Sequence, residues 1–278
     1  MTEEWPWLEE RPVFSTRGES GSKVARVPPG ATRRPIGVGY LGILCGFMIC
    51  VGLAIPGTGL AFGTALADEE AAGWWWLALA IPAAIGGVFS FSGLFVEGTE
   101  RIMKSSALGM VYLVGVLGGL SIAFAALALW HARTHPWTGR FRTETDFFVI
   151  ATTVCALACV VSAVLAVRSV RRAQRDVDRV LRLRRSTRRY EGFVARLPEP
   201  DEWNDGGDVP IRYRDEHEAH TIRVRLNTYA HTIPVVGSRV IVFVGADGDI
   251  LVELDPQHPP EFYPHSSRYE SDTSGGGS

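Results

Sequence analysis

Two pairs of histidines have residue types and spacings that are compatible with metal binding. His131 and His135 stand four positions apart, a spacing that would put both side chains on one face of a helix and could hold a metal ion. Pro136 follows directly, and a proline at this point favours an interfacial loop over a continued helix. We therefore interpret the pair as part of a loop.

A second histidine group combines two types of metal ligand. His217 and His220 stand beside Glu216 and Glu218. Imidazole and carboxylate groups can share a metal ion, but this group falls in a predicted hairpin turn. Such residues are usually polar surface, so we predict no metal site here.

Motifs for nucleophilic or cofactor chemistry do not stand out. The sequence contains no G-x-S-x-G, Walker loop, zinc-hydrolase helix or glycine-rich dinucleotide fingerprint. The cysteines all lie in apolar stretches and are expected to pack as small hydrophobic residues: Cys45, Cys50, Cys155 and Cys159. We predict no catalytic residues, no cofactor and no metal, and hence a protein that is not an enzyme.

Long apolar stretches dominate the first two thirds of the chain. A helix needs about 20 apolar residues to cross the hydrocarbon core of a bilayer. Charged residues and histidine are missing from these stretches, and aromatic residues at their borders suit the headgroup level. The sequence predicts four transmembrane helices, at residues 36–56, 74–96, 107–130 and 147–167.

Basic residues predict the orientation of these helices. They are frequent before the first stretch and after the fourth, and the 97–106 loop contains Arg101 and Lys104. The charged residues of the 57–73 loop, in contrast, are all acidic. By the positive-inside rule, both termini lie in the cytoplasm and the chain spans the cell (inner or plasma) membrane several times. Three arginines in the 131–146 loop argue mildly against this orientation, but the C-terminal flank outweighs them.

Glycines recur at a spacing that favours close helix packing. Gly42 and Gly46 form a G-x-x-x-G pattern in the first stretch, and Gly115 and Gly119 repeat it in the third. We interpret them as packing positions within the protein's own helix bundle. Assembly into a homo-oligomer is the alternative.

A basic segment follows the fourth stretch. Residues 168–189 contain ten arginines and two aspartates, a charge of +8, without a glycine or proline that would end a helix. We predict a helical arm on an anionic inner leaflet, where each basic residue contributes about 1 kcal/mol. The arginines assigned to the lipid surface are Arg168, Arg171, Arg172, Arg175, Arg179 and Arg182. A helix-pairing stem is the alternative, and we expect no nucleic acid because no reader motif accompanies the arginines.

Period-two alternation of apolar residues begins at Tyr190. Five short runs separated by turn residues occupy residues 190–264, and Asp247-Gly248 is a strong hairpin signal. A small SH3-like or OB-like barrel is the simplest fold in which such strands bury their shared apolar face. The predicted fold class is therefore an α+β membrane protein, with a four-helix transmembrane bundle followed by a small all-β barrel in the cytoplasm.

One hairpin of this domain carries a row of arginines. Arg212, Arg214, Arg223 and Arg225 should share the outer face, opposite the buried apolar positions. They are interpreted either as a solvated face balanced by nearby acids or as a patch for an anionic inner leaflet or an acidic partner.

The end of the β domain resembles a known type of sequence. Residues 236–242 match a "V-G-x-x-V-x-V" strand and residues 255–259 a "D-P-x-x-P" exit. This combination is similar to small membrane-attached β domains in an uncharacterised family of bacterial multi-pass membrane proteins, although this sequence inserts a hairpin at 245–249. The resemblance implies a membrane-attached β domain and no activity. The excess of arginine over lysine is typical of GC-rich bacterial genomes, such as those of actinobacteria.

The two ends of the chain lack apolar periodicity. We predict that residues 1–35 are a disordered cytoplasmic tail and that residues 265–278 are a second disordered tail. Trp5 and Trp7 stand out in the first tail, as a docking motif or as residues that enter the membrane interface.

These features together favour a non-enzymatic function. Transport pathways usually contain ionisable groups within the membrane, and the predicted spans have none. We predict a membrane anchor or scaffold that recruits a soluble protein partner or a large cytoplasmic assembly through the β domain and the N-terminal tail. The alternative is a subunit of a transporter or channel, with a pore formed between protomers.

Overall fold

The computed structural model describes residues 12–19, 24–28, 30–32, 34–66, 70–134, 140–186, 188–203, 206–258 and 260–263. The chain divides into two compact units. The helix unit is Arg33–Gln174, and the barrel unit combines Met1–Thr32 with Arg175–Ser278.

Four long helices account for most of the helix unit in the described part of the chain. They are α1 (Val38–Leu66), α2 (Glu70–Ile102), α3 (Ser105–Thr134) and α4 (Arg140–Arg184), whose last turns belong to the barrel unit. Each contains a stretch long and apolar enough to cross a membrane, as expected of a membrane protein.

The helices extend beyond the predicted spans. Because α2 continues to Ile102, residues 97–102 of the predicted 97–106 loop are helical. The turn into α3 is made by Met103, whose φ of 52° is left-handed and whose N–H donates to the Thr99 carbonyl at 3.1 Å. Hydropathy locates the apolar centre of a helix better than its polar ends.

The core of the helix unit lies among α1, α2 and α3. Tyr40, Phe47, Leu94 and Leu108 are buried together there. The contribution of α4 is small residues such as Ala166, and its large apolar side chains are mostly exposed, as suits a helix that faces lipid: Ile150, Val154, Leu157, Val160, Val161 and Val164.

An antiparallel sheet forms the barrel unit. In the described residues its strands are β1 (Val13–Ser15), β2 (Arg189–Val194), β3 (Gly207–Arg214), β4 (Ala219–Asn227), β5 (Arg239–Val244) and β6 (Ile250–Leu254). The strand order is β1-β4-β3-β2-β5-β6. The Thr16 hydroxyl donates to the Ile250 carbonyl at 3.3 Å, so the first and last strands of this order approach each other and the barrel is nearly closed.

Apolar residues at alternate positions of each strand point into the barrel. Val194, Val209, Ile211, Val224 and Leu226 are at most 2% exposed. The five predicted runs correspond to β2 through β6, which confirms the α+β layout.

Strand β5 is buried on both faces. Val240 and Val242 enter the barrel interior, whereas Ile241 and Phe243 pack against Leu183 at the end of α4. This second cover explains why β5 reads as a continuous apolar run, because neither face meets water.

Two predicted boundaries are wrong. Residues 1–35 are not all a disordered tail, because Val13–Ser15 form β1 and Phe14 is only 4% exposed in the barrel core. A three-residue strand is too short to show periodicity. The helical arm predicted over 168–189 ends at Arg184, and Arg189 already begins β2. Residues 1–11 and 264–278 lie outside the described residues.

Candidate functional site

The register of the β3–β4 hairpin puts its four arginines on one side of the sheet. Val209 lies opposite Val224 and Ile211 opposite Ile222, and these residues point into the barrel. The intervening positions therefore point outward, as the alternation predicted. We call the outward set the basic face: Arg212, Arg214, Arg223 and Arg225.

Within the β3–β4 hairpin, three of these arginines have no acidic residue directly opposite them. The cross-strand partners of Arg212 and Arg214 are Thr221 and Ala219, and that of Arg223 is Pro210. All three arginines are exposed, and no residue in the described ranges forms an ion pair with them. Acidic residues of the same outer face lie beside the row, because Asp208 is the diagonal neighbour of Arg223 and the exposed Glu191 on β2 continues the register toward Arg214.

Arg225, the fourth member of the basic face, has a different environment. It is half-buried, lies opposite Asp208 on β3 and is in register with Ser15 of β1. The N-terminal strand therefore borders this end of the basic face.

An exposed aromatic residue adjoins the basic face. Phe193 on β2 is 45% exposed and lies in register with Arg212 on one side and Arg239 on the other. Aromatic residues, including phenylalanine, and arginine are enriched at protein interfaces. Sequence reasoning missed Phe193 because the first predicted strand was not assigned a buried and an exposed face.

Gly192 shows which face of β2 is buried. A Cβ atom at this position would lie 2.8 Å from the Arg212 carbonyl oxygen and 3.0 Å from Cβ of Tyr213. Glycine allows the two strands to approach at this inward position, which leaves Phe193 pointing outward.

The arginines of the α4 extension do not all have the predicted role. Arg168, Arg171, Arg172, Arg175 and Arg182 are exposed. Arg179, predicted to contact lipid, is instead 16% exposed, with its Nε 2.7 Å from Oδ2 of Asp249 and its Nη2 3.1 Å from Oδ1. The Arg179 guanidinium lowers the pKa of Asp249. This bidentate pair holds α4 to the β5–β6 turn, a contact between distant parts of the sequence that arginine spacing could not reveal.

Arg184 is a structural residue that the sequence analysis did not single out. Its Nη2 lies 2.7 Å from Oε1 of Glu253 on β6. The same guanidinium donates to the carbonyl oxygens of Val27 and Pro28, at 2.5 and 2.6 Å. One side chain thus joins α4, β6 and the N-terminal segment of the barrel unit.

The predicted glycine positions divide into crowded and open sites. A Cβ on Gly115 would lie 2.6 Å from the Phe47 ring, and one on Gly119 would lie 2.6 Å from Val51, so both allow α3 to approach α1. Gly46 has only an ordinary contact with Ser90, and no atom lies within 4 Å of a Cβ on Gly42. Gly118 is also crowded, against Met48.

The described histidines His220 and His131 contact other side chains. His220 Nε2 lies 2.7 Å from Oδ2 of Asp215, and its ring stacks on Tyr213 with centroids 5.2 Å apart. His131 packs on the ring of Phe148. Within the described residues no group of three potential ligands is close enough to hold a metal ion. His135, Trp5 and Trp7 lie outside the described residues.

Comparisons with known proteins give this chain no relative. No protein-family model matches it, and neither the curated proteins nor the solved structures that were compared with it contain a match.

Proposed function

We propose that this protein is a non-enzymatic membrane anchor or scaffold whose barrel recruits a soluble protein to the cytoplasmic surface of the cell membrane. The observation that carries the proposal is the basic face with Phe193 beside it. Exposed arginines that form no ion pair within the described residues, together with an exposed aromatic residue, are typical of an interaction surface.

The positions of the barrel strands in the sequence support placing both ends of the chain on the same side of the membrane. β1 precedes α1 in the chain, whereas β2 to β6 follow α4, and β1 pairs with β4. A folded barrel cannot be divided by a bilayer, so both chain ends lie on the same side, which an even number of spans permits. The basic residues before α1 and at the end of α4 favour the cytoplasmic side.

The strand order supports an OB-like barrel. In that fold the first of five strands pairs with both the second and the fourth. Here β2 pairs with both β3 and β5, and β4 and β6 are the outer strands of this set of five. β1 lies beside β4, where the third and fifth strands of an OB barrel would meet.

The proposal is tested by recovering soluble proteins from native membranes that contain the full chain or charge-reversed variants. Arg212→Glu, Arg214→Glu and Arg223→Glu together remove the exposed positive charge of the basic face. Arg182→Glu, Arg185→Glu and Arg188→Glu make the same charge change at exposed positions elsewhere.

We expect a soluble protein to be recovered with the full chain and with the second triple variant, but not with the first. Equal recovery from both variants would contradict docking on the basic face. Recovery of membrane proteins alone, together with ion flux in liposomes, would favour the alternative of a transporter or channel subunit with a pore between protomers.

A further inference from the structure

A row of outward residues crosses the barrel from β3 to the end of β6. Phe193 on β2 lies in register with Arg212 on β3 and with Arg239 on β5. Val240 points into the barrel, so Arg239 shares the outer side with Phe193. The row ends directly after β6 at Asp255, whose N–H donates to the Arg239 carbonyl at 3.1 Å. One aromatic residue thus lies between two exposed arginines, with a carboxylate at the end of the row.

Asp255 fixes the ring of His258 beside this row. Its carboxylate accepts hydrogen bonds from the Gln257 N–H at 3.0 Å and from Nδ1 of His258 at 2.7 Å. The chain turns back here, because the His258 N–H donates to the Asp255 carbonyl at 3.2 Å. Nε2 of His258 then lies 3.4 Å from Nη1 of Arg239. The imidazole and the guanidinium therefore approach the same point on the surface.

The neighbouring carboxylates leave the charge of Arg239 unpaired. Asp255 binds His258 at 2.7 Å, and Glu253 binds a guanidinium at the end of α4. The exposed Glu191 lies on the same outer side but two residues along β2, nearer the β3–β4 turn. Within the described ranges, no carboxylate forms an ion pair with Arg239.

An oxyanion fits between the imidazole and the guanidinium. When the imidazole is protonated at both nitrogens, Nδ1–H donates to Asp255 and Nε2–H can donate to a ligand. An oxygen atom about 2.9 Å from both Nε2 and Nη1 requires only a small turn of the exposed Arg239 side chain. Arg212 lies two strands from Arg239, about 10 Å away, so its long side chain can reach a further oxygen of the same group.

We propose that Arg239, His258 and Arg212 bind a phosphate monoester carried by the recruited soluble protein, with the phosphorylated residue lying against Phe193. A monoester has three acceptor oxygens and a charge of about −1.5 to −2, which matches three cationic donors at separate positions. A carboxylate or a phosphodiester has fewer free oxygens and a single charge, so it matches them less well. This inference rests on the proposed function, because it states the chemistry by which the partner is recognised.

The test titrates the full-length chain, in nanodiscs of phosphatidylcholine, with phenyl phosphate by isothermal titration calorimetry. The control ligands are methyl phenyl phosphate, which is a diester, and phenylacetate, which is a carboxylate. We expect both controls to bind at least about tenfold more weakly, because each lacks one acceptor oxygen and part of the charge. Equal binding of either control would overturn the proposal.

Matched substitutions test the named side chains. Arg239→Ala and His258→Ala should each weaken phenyl phosphate binding by about tenfold. Arg188→Ala and His217→Ala, at exposed positions elsewhere in the barrel unit, should leave it unchanged. Phe193→Ala should weaken the binding of phenyl phosphate but not that of inorganic phosphate. Unchanged binding in the Arg239→Ala or the His258→Ala variant would contradict the proposed site.

Phosphatase treatment of the soluble proteins separates this inference from the proposed function. Treated proteins should no longer be recovered with membranes that contain the full chain. Unchanged recovery would refute the inference and leave the proposed function standing, whereas no recovery from treated or untreated samples would refute the proposed function. Loss of phenyl phosphate binding in nanodiscs that contain phosphatidic acid would assign the site to a lipid monoester and overturn the protein partner.

Discussion

Arg184 shows how a single side chain can hold three parts of the chain together. It is 17% exposed and binds Glu253 on β6 and two carbonyl oxygens of the N-terminal segment. Hydrogen bonds to a charged group contribute about 1.5–3 kcal/mol each when they are shielded from water, and removing the cation leaves Glu253 without its partner.

We expect Arg184→Met to lower the free energy of unfolding of the barrel unit by about 2–3 kcal/mol. Arg182→Met, an exposed position on the same helix, should change it by less than about 0.5 kcal/mol. Hydrogen exchange of the β6 amides measures both values. Equal effects would mean that the pairing of Arg184 adds nothing beyond its helix propensity.

Asp215 organises the turn between β3 and β4. It accepts hydrogen bonds from the backbone N–H groups of Glu218 and His217, at 2.7 and 2.8 Å, and lies beside His220. These donors hold the pKa of Asp215 below its usual range. A lowered carboxyl pKa in the folded state stabilises the turn above the usual pKa of about 4, and this stabilisation is lost as the pH falls through the folded-state pKa.

The expected result is that the side-chain carboxyl carbon of Asp215 keeps the chemical shift of the ionised form down to about pH 4 and changes only below that value. NMR titration of the full chain in detergent measures this shift, with Asp215→Asn as the control that removes the signal. A midpoint at or above the usual aspartate pKa would show that the two N–H donors do not bind the carboxylate.

Strand β1 demonstrates that an element of only three residues can complete a barrel. Its contribution is mainly Phe14, which is buried among residues from the C-terminal strands. We expect Phe14→Ala to destabilise the barrel by about 3–5 kcal/mol. Val236→Ala, at a position 55% exposed, should change stability by less than about 0.5 kcal/mol. Hydrogen exchange of the β4 amides reports both, and a small effect of Phe14→Ala would mean that β1 is dispensable.

Helices α1 and α3 depend on glycine where they approach each other. A methyl group on Gly119 would meet Val51 and the Met48 carbonyl oxygen, whereas one on Gly42 would meet no atom of the described chain. We expect Gly119→Ala to destabilise the helix unit by about 1–3 kcal/mol. Gly42→Ala should leave its stability unchanged or raise it by up to about 1 kcal/mol, because alanine favours a helix over glycine, and thermal unfolding in detergent measures both. A large loss from Gly42→Ala would instead indicate contact with a second copy of the chain.

At the scale of the whole molecule, the shared barrel ties together the two ends of the membrane-spanning region. We expect cysteines introduced in place of Glu19 and Glu216 to be protected together from an impermeant thiol reagent in intact cells, and one in place of Thr138 to react. The four native cysteines are first replaced by alanine. Opposite accessibility of positions 19 and 216 would be incompatible with the pairing of β1 and β4.

The sequence by itself predicts the features that repeat over many residues. Apolar stretches of about 20 residues specify the spans because lipid cannot satisfy an exposed backbone. Period-two alternation specifies β2 to β6 and correctly turns Arg212, Arg214 and Arg223 outward, because successive residues of a strand face opposite sides. These signals are local, so they need no knowledge of the partner element.

Only the tertiary structure decides the features that depend on contacts distant in sequence. β1 is too short to have a period, and it is a strand because β4 offers an unpaired edge and the barrel core accepts Phe14. Arg179 and Arg182 look equivalent in the basic segment, yet only Arg179 meets a carboxylate, on a turn 70 residues away. Spacing along a helix or strand specifies which direction a side chain points, whereas the fold determines what lies there. The outward direction of the basic-face arginines could therefore be predicted, whereas the exposure of Phe193 depended on which face of β2 the barrel buries.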